Sequence, residues 1–282
     1  MLYTAKTLNC NGRIVDLSQA QIMGILNLTP DSFYDGGRYE GETALRQVEN
    51  MLGEGADIID IGGMSSRPGA ELVSLEEERK RVIPVIRSIL NAFPETILSI
   101  DTVRSEIAKE AYACGVGIIN DISASKVDSG MYDILGQLKV PYVLMHMQGL
   151  PNNMQQNPNY SNVTKEVLDF LIEELGRLKA YNPTDVIIDP GFGFGKTVEH
   201  NYELLKNLGL FKILECPIMV GISRKSMISK VTGSSSEEAL NGTTALHMLA
   251  LQNGADILRV HDVKEAVEVR KLYQAYTSVQ EY

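Results

Sequence analysis

Arg259 and His261 sit two residues apart, just ahead of a helical stretch that begins near Val263. A guanidinium fork, an imidazole and a helix N-terminus together suit a phosphate group. Taken singly, Arg259 reads as a salt-bridge partner and His261 as a packed histidine; their spacing on one strand favours phosphate. Asp189 can accept two hydrogen bonds at once from neighbouring donors, or it can act as a helix cap for the segment that follows it. Asn120 can donate and accept, Lys225 can donate, and Asp101 can stabilise positive charge that develops beside it. Asn27 offers an amide oxygen of the kind that ligates Mg²⁺ where phosphate supplies other ligands.

These residues share a position in the chain's rhythm. Eight short apolar runs end at Asn27, Asp60, Asp101, Asn120, His146, Asp189, the triplet Ser223, Arg224 and Lys225, and the pair Arg259 and His261. The runs predict strands over 21–27, 57–61, 97–101, 117–121, 142–146, 186–189, 217–222 and 256–260. Between them, periodic stretches predict helices over 42–54, 105–114, 130–138 and 164–180, with a split pair from 226 and over 237–252 and a last helix from 263. Another helix starts at Ser74, where Ser74-Leu75-Glu76-Glu77 has the form of a capping box. Strands such as Val186-Ile187-Ile188 are apolar throughout, as parallel strands buried on both faces are.

The expected fold is therefore α/β, a single-domain (β/α)₈ barrel (a TIM barrel) over residues 1–282. A hairpin within residues 1–18, turning on Asn11-Gly12, is expected to close the barrel's bottom. An open doubly wound sheet uses the same strand type; eight units and phosphate chemistry at the ends of strands seven and eight favour closure.

Bulk properties narrow the function. Hydrophobic residues make up 44% of the chain, enough for a large core, and the net charge of −10 argues against non-specific nucleic-acid binding. Cys10, Cys114 and Cys216 are widely spaced and form no C-x-x-C pair, which reads as reduced thiols in a cytoplasmic protein. No run has the length of a signal peptide's apolar core or a membrane span, so no membrane partner is expected. His200 and His247 lie in helical stretches and His146 beside Met145; all three read as structural.

Three loops are dense in Gly, Pro and polar groups: Asn27-Leu28-Thr29-Pro30-Asp31-Ser32-Phe33, Gly62-Gly63-Met64-Ser65-Ser66-Arg67-Pro68-Gly69, and Asp189-Pro190-Gly191-Phe192-Gly193-Phe194-Gly195-Lys196. With Arg259-Val260-His261-Asp262 they resemble the signature stretches of the dihydropteroate synthase family, from Ile22 to the last helix. The resemblance implies condensation of 6-hydroxymethyl-7,8-dihydropterin pyrophosphate with p-aminobenzoate in folate biosynthesis. It implies Mg²⁺ at Asn27, a cytoplasmic homodimer, and a sulfonamide target. It assigns the pterin to Asp101, Asn120, Met145, Asp189 and Lys225, and p-aminobenzoate to Phe33, Ser66, Arg67, Pro68, Phe194 and Ser223. Pyrophosphate falls to Asn27, Arg67, Arg259 and His261, and the catalytic roles to Asp101, Lys225, Arg259 and His261.

Two positions depart from the family's pattern. Met64 stands where it usually carries an acid, a change that leaves the reaction untouched. Ser66 stands where it often carries threonine; it keeps the hydroxyl but loses a methyl, so p-aminobenzoate or sulfonamide affinity is expected to differ. Rival readings are a methyltetrahydrofolate–corrinoid methyltransferase, which would share Asp101, Asn120 and Asp189 but has no use for Asn27, Arg259 and His261, and an aldolase-type barrel with Lys225 as Schiff-base nucleophile. A catalytically silent pterin-binding regulator is the non-enzyme reading.

Overall fold

Leu8, Cys10 and Val15 alternate with exposed residues, and the alternation makes the first two strands. β1 (Thr7–Cys10) and β2 (Arg13–Asp16) pair antiparallel around Asn11 and Gly12, both at positive φ. Asn-Gly is the dipeptide that such a two-residue turn favours. The computed structural model describes residues 7–28, 39–64, 73–149, 154, 158–183 and 185–279. Within them the hairpin packs Leu8, Cys10, Val15 and Leu17 on Met23, Ile58, Ile118, Val143, Ile187, Met219 and Ile257, the lowest inward residues of a barrel. It is the bottom stopper that the sequence predicts.

The barrel strands are β3 (Gln21–Asn27), β4 (Ile58–Gly62), β5 (Ile97–Asp101), β6 (Ile118–Asp121), β7 (Tyr142–Met145), β8 (Val186–Asp189), β9 (Met219–Val220) and β10 (Ile257–Val260). They pair in parallel in the order β8-β7-β6-β5-β4-β3-β10-β9. An isolated parallel bridge, Ile188 to Ile218, brings β8 against the chain entering β9. The weakest strand is β9, two residues long where the sequence predicts six. Pro217 has no N–H to give, and the chain turns back at Ile222, whose carbonyl accepts from Lys225 N–H at 3.2 Å.

Around the strands lie α1 (Tyr39–Glu54), α2 (Leu75–Ala92), α3 (Ser105–Cys114), α4 (Met131–Leu138), α5 (Val163–Lys179), α6 (Val198–Lys206), α7 (Ser226–Thr232), α8 (Leu240–Gln252) and α9 (Val263–Thr277). The split into α7 and α8 matches expectation, although α8 begins three residues late. Ser74 caps α2 by accepting from Glu77 N–H at 3.2 Å, but the Glu77 carboxylate turns to Arg81 at 2.9 Å, so only half of the expected capping box forms. A complete box occurs instead at α6, where Thr197 and His200 cap each other. None of the described helices is long and apolar enough to cross a membrane.

Strand periodicity then dictates what lines the barrel. Counting up by two from the lowest inward layer brings Asp60, Ser99, Asn120, Met145, Asp189, Gly221 and Arg259 inward, and above them Asn27, Gly62, Asp101, Ser223 and His261. The polar strand ends therefore converge on one cavity at the C-terminal face.

Candidate active site

Arg259 is the hub of that cavity. Its Nε donates to Asp60 Oδ2 at 2.6 Å and its Nη2 to Asp101 Oδ2 at 2.8 Å, with Asp60 fully buried and Asp101 nearly so. The salt-bridge use of Arg259 is thus realised, and with two carboxylates rather than one. Burial pushes the Asp101 carboxyl above its ordinary value, with Asp60, Glu78 and Asp121 adding to the push and Arg259 opposing it. Asn120 Nδ2 donates to the same Asp60 oxygen at 3.0 Å. That leaves three buried atoms without partners among the described residues in this layer: Asn120 Oδ1, Asp60 Oδ1 and Ser99 Oγ. Buried polar atoms are rarely left so, and such a set marks where a ligand or water completes the hydrogen bonding.

Asp189 and Lys225 form the second wall. Asp189 Oδ1 accepts from Gly191 N–H at 2.7 Å, so one oxygen closes a turn rather than capping a helix, which begins only at Val198 under its own cap Thr197. Burial raises the Asp189 carboxyl, with Lys225 pulling the other way. Lys225 Nζ donates to Phe192 O and lies 4.5 Å above the Phe194 ring. Burial draws this ammonium down to about 8, against the pull of Asp189. Arg224, at positive φ, faces away and forms a two-pronged pair with Asp262 at 2.7 and 2.8 Å.

On the phosphate side, His261 Nδ1 lies 3.1 Å from Ser223 Oγ, which also accepts from His261 N–H at 3.2 Å. The expected p-aminobenzoate floor residue Ser223 is therefore engaged with His261. The imidazole is exposed at the mouth; partial desolvation by the walls, then Arg259, keeps its pKa below the ordinary value. Gly62 lies between Asn27 and Asp101: a Cβ there would stand 3.7 Å from both Asn27 Oδ1 and Asp101 Oδ2. These are oxygen donors, as a hard cation prefers, and too few to cage one unaided. Among the described residues no group of three or more His, Cys, Asp or Glu could hold a metal. The donor set fits an Mg²⁺ whose other ligands come from a phosphate.

Phe194 and Met145 pack with Val103, Ile122, Met147 and Met154, and Met64 borders the group. Met64 Sδ stands 3.4 Å from Arg104 Nη1, and Arg104 also pairs with the buried carboxylate of Glu78 on α2. Glu78 thus gives Arg104 the negative partner that residue 64 lacks. Phe33, Ser66, Arg67 and Pro68 lie outside the described residues.

Two features escaped the sequence reading. Asp60 was visible as a strand-end charge inside an apolar run, yet nothing local revealed its partners. Lys196 closes a glycine-rich loop and is almost fully buried: its Nζ reaches His146 Nδ1 at 2.9 Å, Gly191 O at 2.8 Å and Phe194 O at 3.1 Å. His146 is accordingly structural, a buried acceptor on the barrel's outer side. Lys196→Met should strand these acceptors, at about 2–3 kcal/mol, and lower Tm by roughly 5–10 °C. An unchanged Tm in calorimetry would mean that water replaces the ammonium at no loss.

A family described as "Pterin binding enzyme" matches residues 23–261. Dihydropteroate synthase of Escherichia coli (strain K12) is 44% identical over 273 residues, 96% of each chain. Among solved structures, Xanthomonas albilineans dihydropteroate synthase with 4-aminobenzoic acid superposes with a TM-score of 0.92 at 42% identity, covering 98% of this chain and 100% of that one. The same enzyme in complex with 7,8-dihydropteroate gives 0.87 at 40% identity, with 98% and 100% covered.

Proposed function

The chain belongs to the pterin-binding enzymes, among the dihydropteroate synthases, and on that premise we propose how the residues of the barrel mouth divide the reaction. The reaction joins 6-hydroxymethyl-7,8-dihydropterin pyrophosphate to p-aminobenzoate and releases pyrophosphate. The C–O bond pair leaves with pyrophosphate, the aryl amine's lone pair forms the new C–N bond, and one N–H proton is lost.

A pterin presents a guanine-like edge of an exocyclic amine, a ring N–H and a carbonyl. Asp189 has its second oxygen free of the Gly191 bond to accept from that edge, and Asn120 Oδ1 lies buried nearby without a partner among the described residues. Lys225 donates to the carbonyl side, and Met145 gives the ring an apolar wall. Asp101 stands at the height of the reacting methylene and stabilises the positive character left there as the C–O bond breaks. Arg259 and His261 receive the departing pyrophosphate, with Arg67 from the second loop. Asn27 Oδ1 would hold Mg²⁺, which when bound neutralises charge on the pyrophosphate. Phe194 walls the p-aminobenzoate side, together with Ser223 and with Phe33, Ser66 and Pro68 of the first two loops.

The observation that carries this division is Arg259 held between Asp60 and Asp101 at the mouth, a cation placed beside the carboxylate that faces the methylene. A pterin methyltransferase has no leaving pyrophosphate and no need of that guanidinium. Lys225 does have the lowered pKa that a Schiff-base lysine requires, but its Nζ is committed to Phe192 O and to the Phe194 face. We further read the enzyme as cytoplasmic and homodimeric. Exposed Leu272, Tyr276 and Val279 near the C-terminal end of α9, with Leu249 on α8, support a self-contact, which sedimentation would test. The division of roles is tested by pyrophosphate release from purified protein with Mg²⁺ and dihydropterin pyrophosphate. Release that requires p-aminobenzoate and is lost in Lys225→Ala supports it; tight pterin binding without turnover would sink it.

A further inference from the structure

We propose that Asp60 sets pterin specificity by fixing the Asn120 amide, so that its carbonyl oxygen and not its NH₂ faces the ligand. This rests on the reading of Asn120 as a pterin contact. Asp60 and Asn120 belong to one inner layer of the barrel, and neither is accessible to any extent that would let bulk water serve them. Asp60 Oδ2 accepts from Arg259 Nε at 2.6 Å and from Asn120 Nδ2 at 3.0 Å. An oxygen that already takes hydrogen bonds from two donors serves the amide as an acceptor. An amide, by contrast, is nearly the same shape when its oxygen and nitrogen are exchanged, and packing alone seldom chooses between the two.

Next to such an acceptor the choice is made electrostatically. The exchanged orientation would set the Asn120 oxygen against the Asp60 oxygen with no hydrogen between them. Leaving such a buried pair unmade is strongly unfavourable, and more so where one member is charged. Asn120 therefore turns its NH₂ to Asp60, and its Oδ1 is left buried and without a partner among the described residues. Asp60 Oδ1 is unpartnered among them too, in the same layer as the Ser99 hydroxyl, and Asp189 contributes a further carboxylate oxygen. The floor is rich in acceptors, so it suits a ring edge made of donors. A ring carrying a carbonyl where the pterin carries its amine would meet lone pair with lone pair. Asn120 by itself could read either ring; Asp60 removes the choice.

The test compares two ligands in one protein. Calorimetric Kd values are measured for 6-hydroxymethylpterin and for its lumazine counterpart, in which the exocyclic amine is a carbonyl. Neither bears pyrophosphate, so the Arg259–phosphate contact does not enter. The wild type is expected to prefer the pterin by roughly 100-fold. In Asp60→Asn an amide at position 60 can donate as well as accept, Asn120 is free to turn, and the preference should fall to about ten-fold or less. The ratio cancels any general loss of affinity, so a merely structural Asp60 would leave it unmoved. A folded Asp60→Asn variant that still prefers the pterin roughly 100-fold overturns the proposal. Wild-type protein that binds neither ring overturns the pterin reading itself, and the proposal with it. Should the variant not fold, neutron diffraction of wild-type crystals with bound pterin decides the same point. Deuterons of Asn120 Nδ2 directed at Asp60 support the assignment, and deuterons directed at the ring refute it.

Discussion

Replacing Arg259 by alanine is expected to lower kcat/KM for dihydropterin pyrophosphate roughly a thousand-fold and to lower Tm by about 10 °C. Both effects follow from the loss of one side chain, by two routes. Arg259 bridges Asp60 and Asp101, and its removal leaves two poorly solvated carboxylates side by side on the adjacent strands β4 and β5. Breaking a buried pair by removing one partner typically destabilises by about 3–5 kcal/mol, because the remaining charge has lost its compensation. For a chain of this size that corresponds to the stated fall in Tm. The catalytic loss has a different route, the missing anchor for the departing pyrophosphate. Adding Asp60→Asn to Arg259→Ala separates the two: Tm should recover in part as one charge is removed, while turnover stays lost. Arg259→Lys should do little better than alanine for turnover, since a point charge cannot span both carboxylates as the fork does. An Arg259→Ala enzyme with wild-type Tm would show that the carboxylates do not depend on it.

The second large effect concerns Lys225. Its pKa of about 8 in the free protein places its charge change within the working range of an assay. The ammonium is the form that donates to a pterin carbonyl, so kcat/KM for the pterin substrate should fall as pH rises through about 8. That profile reports the free enzyme. Lys225→Met should cost about 100-fold in kcat/KM and, more tellingly, abolish the alkaline limb near pH 8. A limb that survives in Lys225→Met belongs to another group. The low pKa of His261 sets the opposite expectation for that residue: its imidazole is neutral through the same range, so it acts as a hydrogen-bonding group and adds no alkaline limb of its own.

The interior explains why both substitutions act so strongly. Both side chains are held in place by close neighbours. Lys225 leans on the Phe192 carbonyl and the Phe194 ring, and the loop carrying both aromatics is held from its other side by Lys196. A side chain at Gly191 would run into the His146 carbonyl, and Gly191 also sits at positive φ, so this close packing of loop on strand leaves no room for another residue. Such support reduces the freedom that a site must lose before it can react.

Most of the architecture was legible in the sequence because its signals are local. A parallel strand buried on both faces is a run of apolar residues, and the first polar residue after it marks the barrel mouth. Hence Asn27, Asp101, Asn120, Asp189 and Arg259 could be placed on one face before any pairing was known. The Asn11-Gly12 turn and the ends of α3 were equally local matters, decided by backbone preference and by apolar spacing. Sites of weak local signal were read less well: β9 shrank to two residues, and the second half of the Ser74 capping box was taken over by Arg81.

Which polar residue meets which was not legible at all. Arg259 and Asp60 are 199 positions apart, and Arg259 and Asp101 158 apart. The same holds for Lys196 and His146, 50 positions apart on opposite sides of a helix–loop unit. By itself the sequence determined the strand rhythm, the family and the chemical types gathered at the mouth, since each depends on residues close together in the chain. The tertiary structure alone decided that one guanidinium lies between two carboxylates and that an amide is turned by one of them. Those outcomes depend on the register in which the sheet closes, a property of all eight strands together that no single segment encodes.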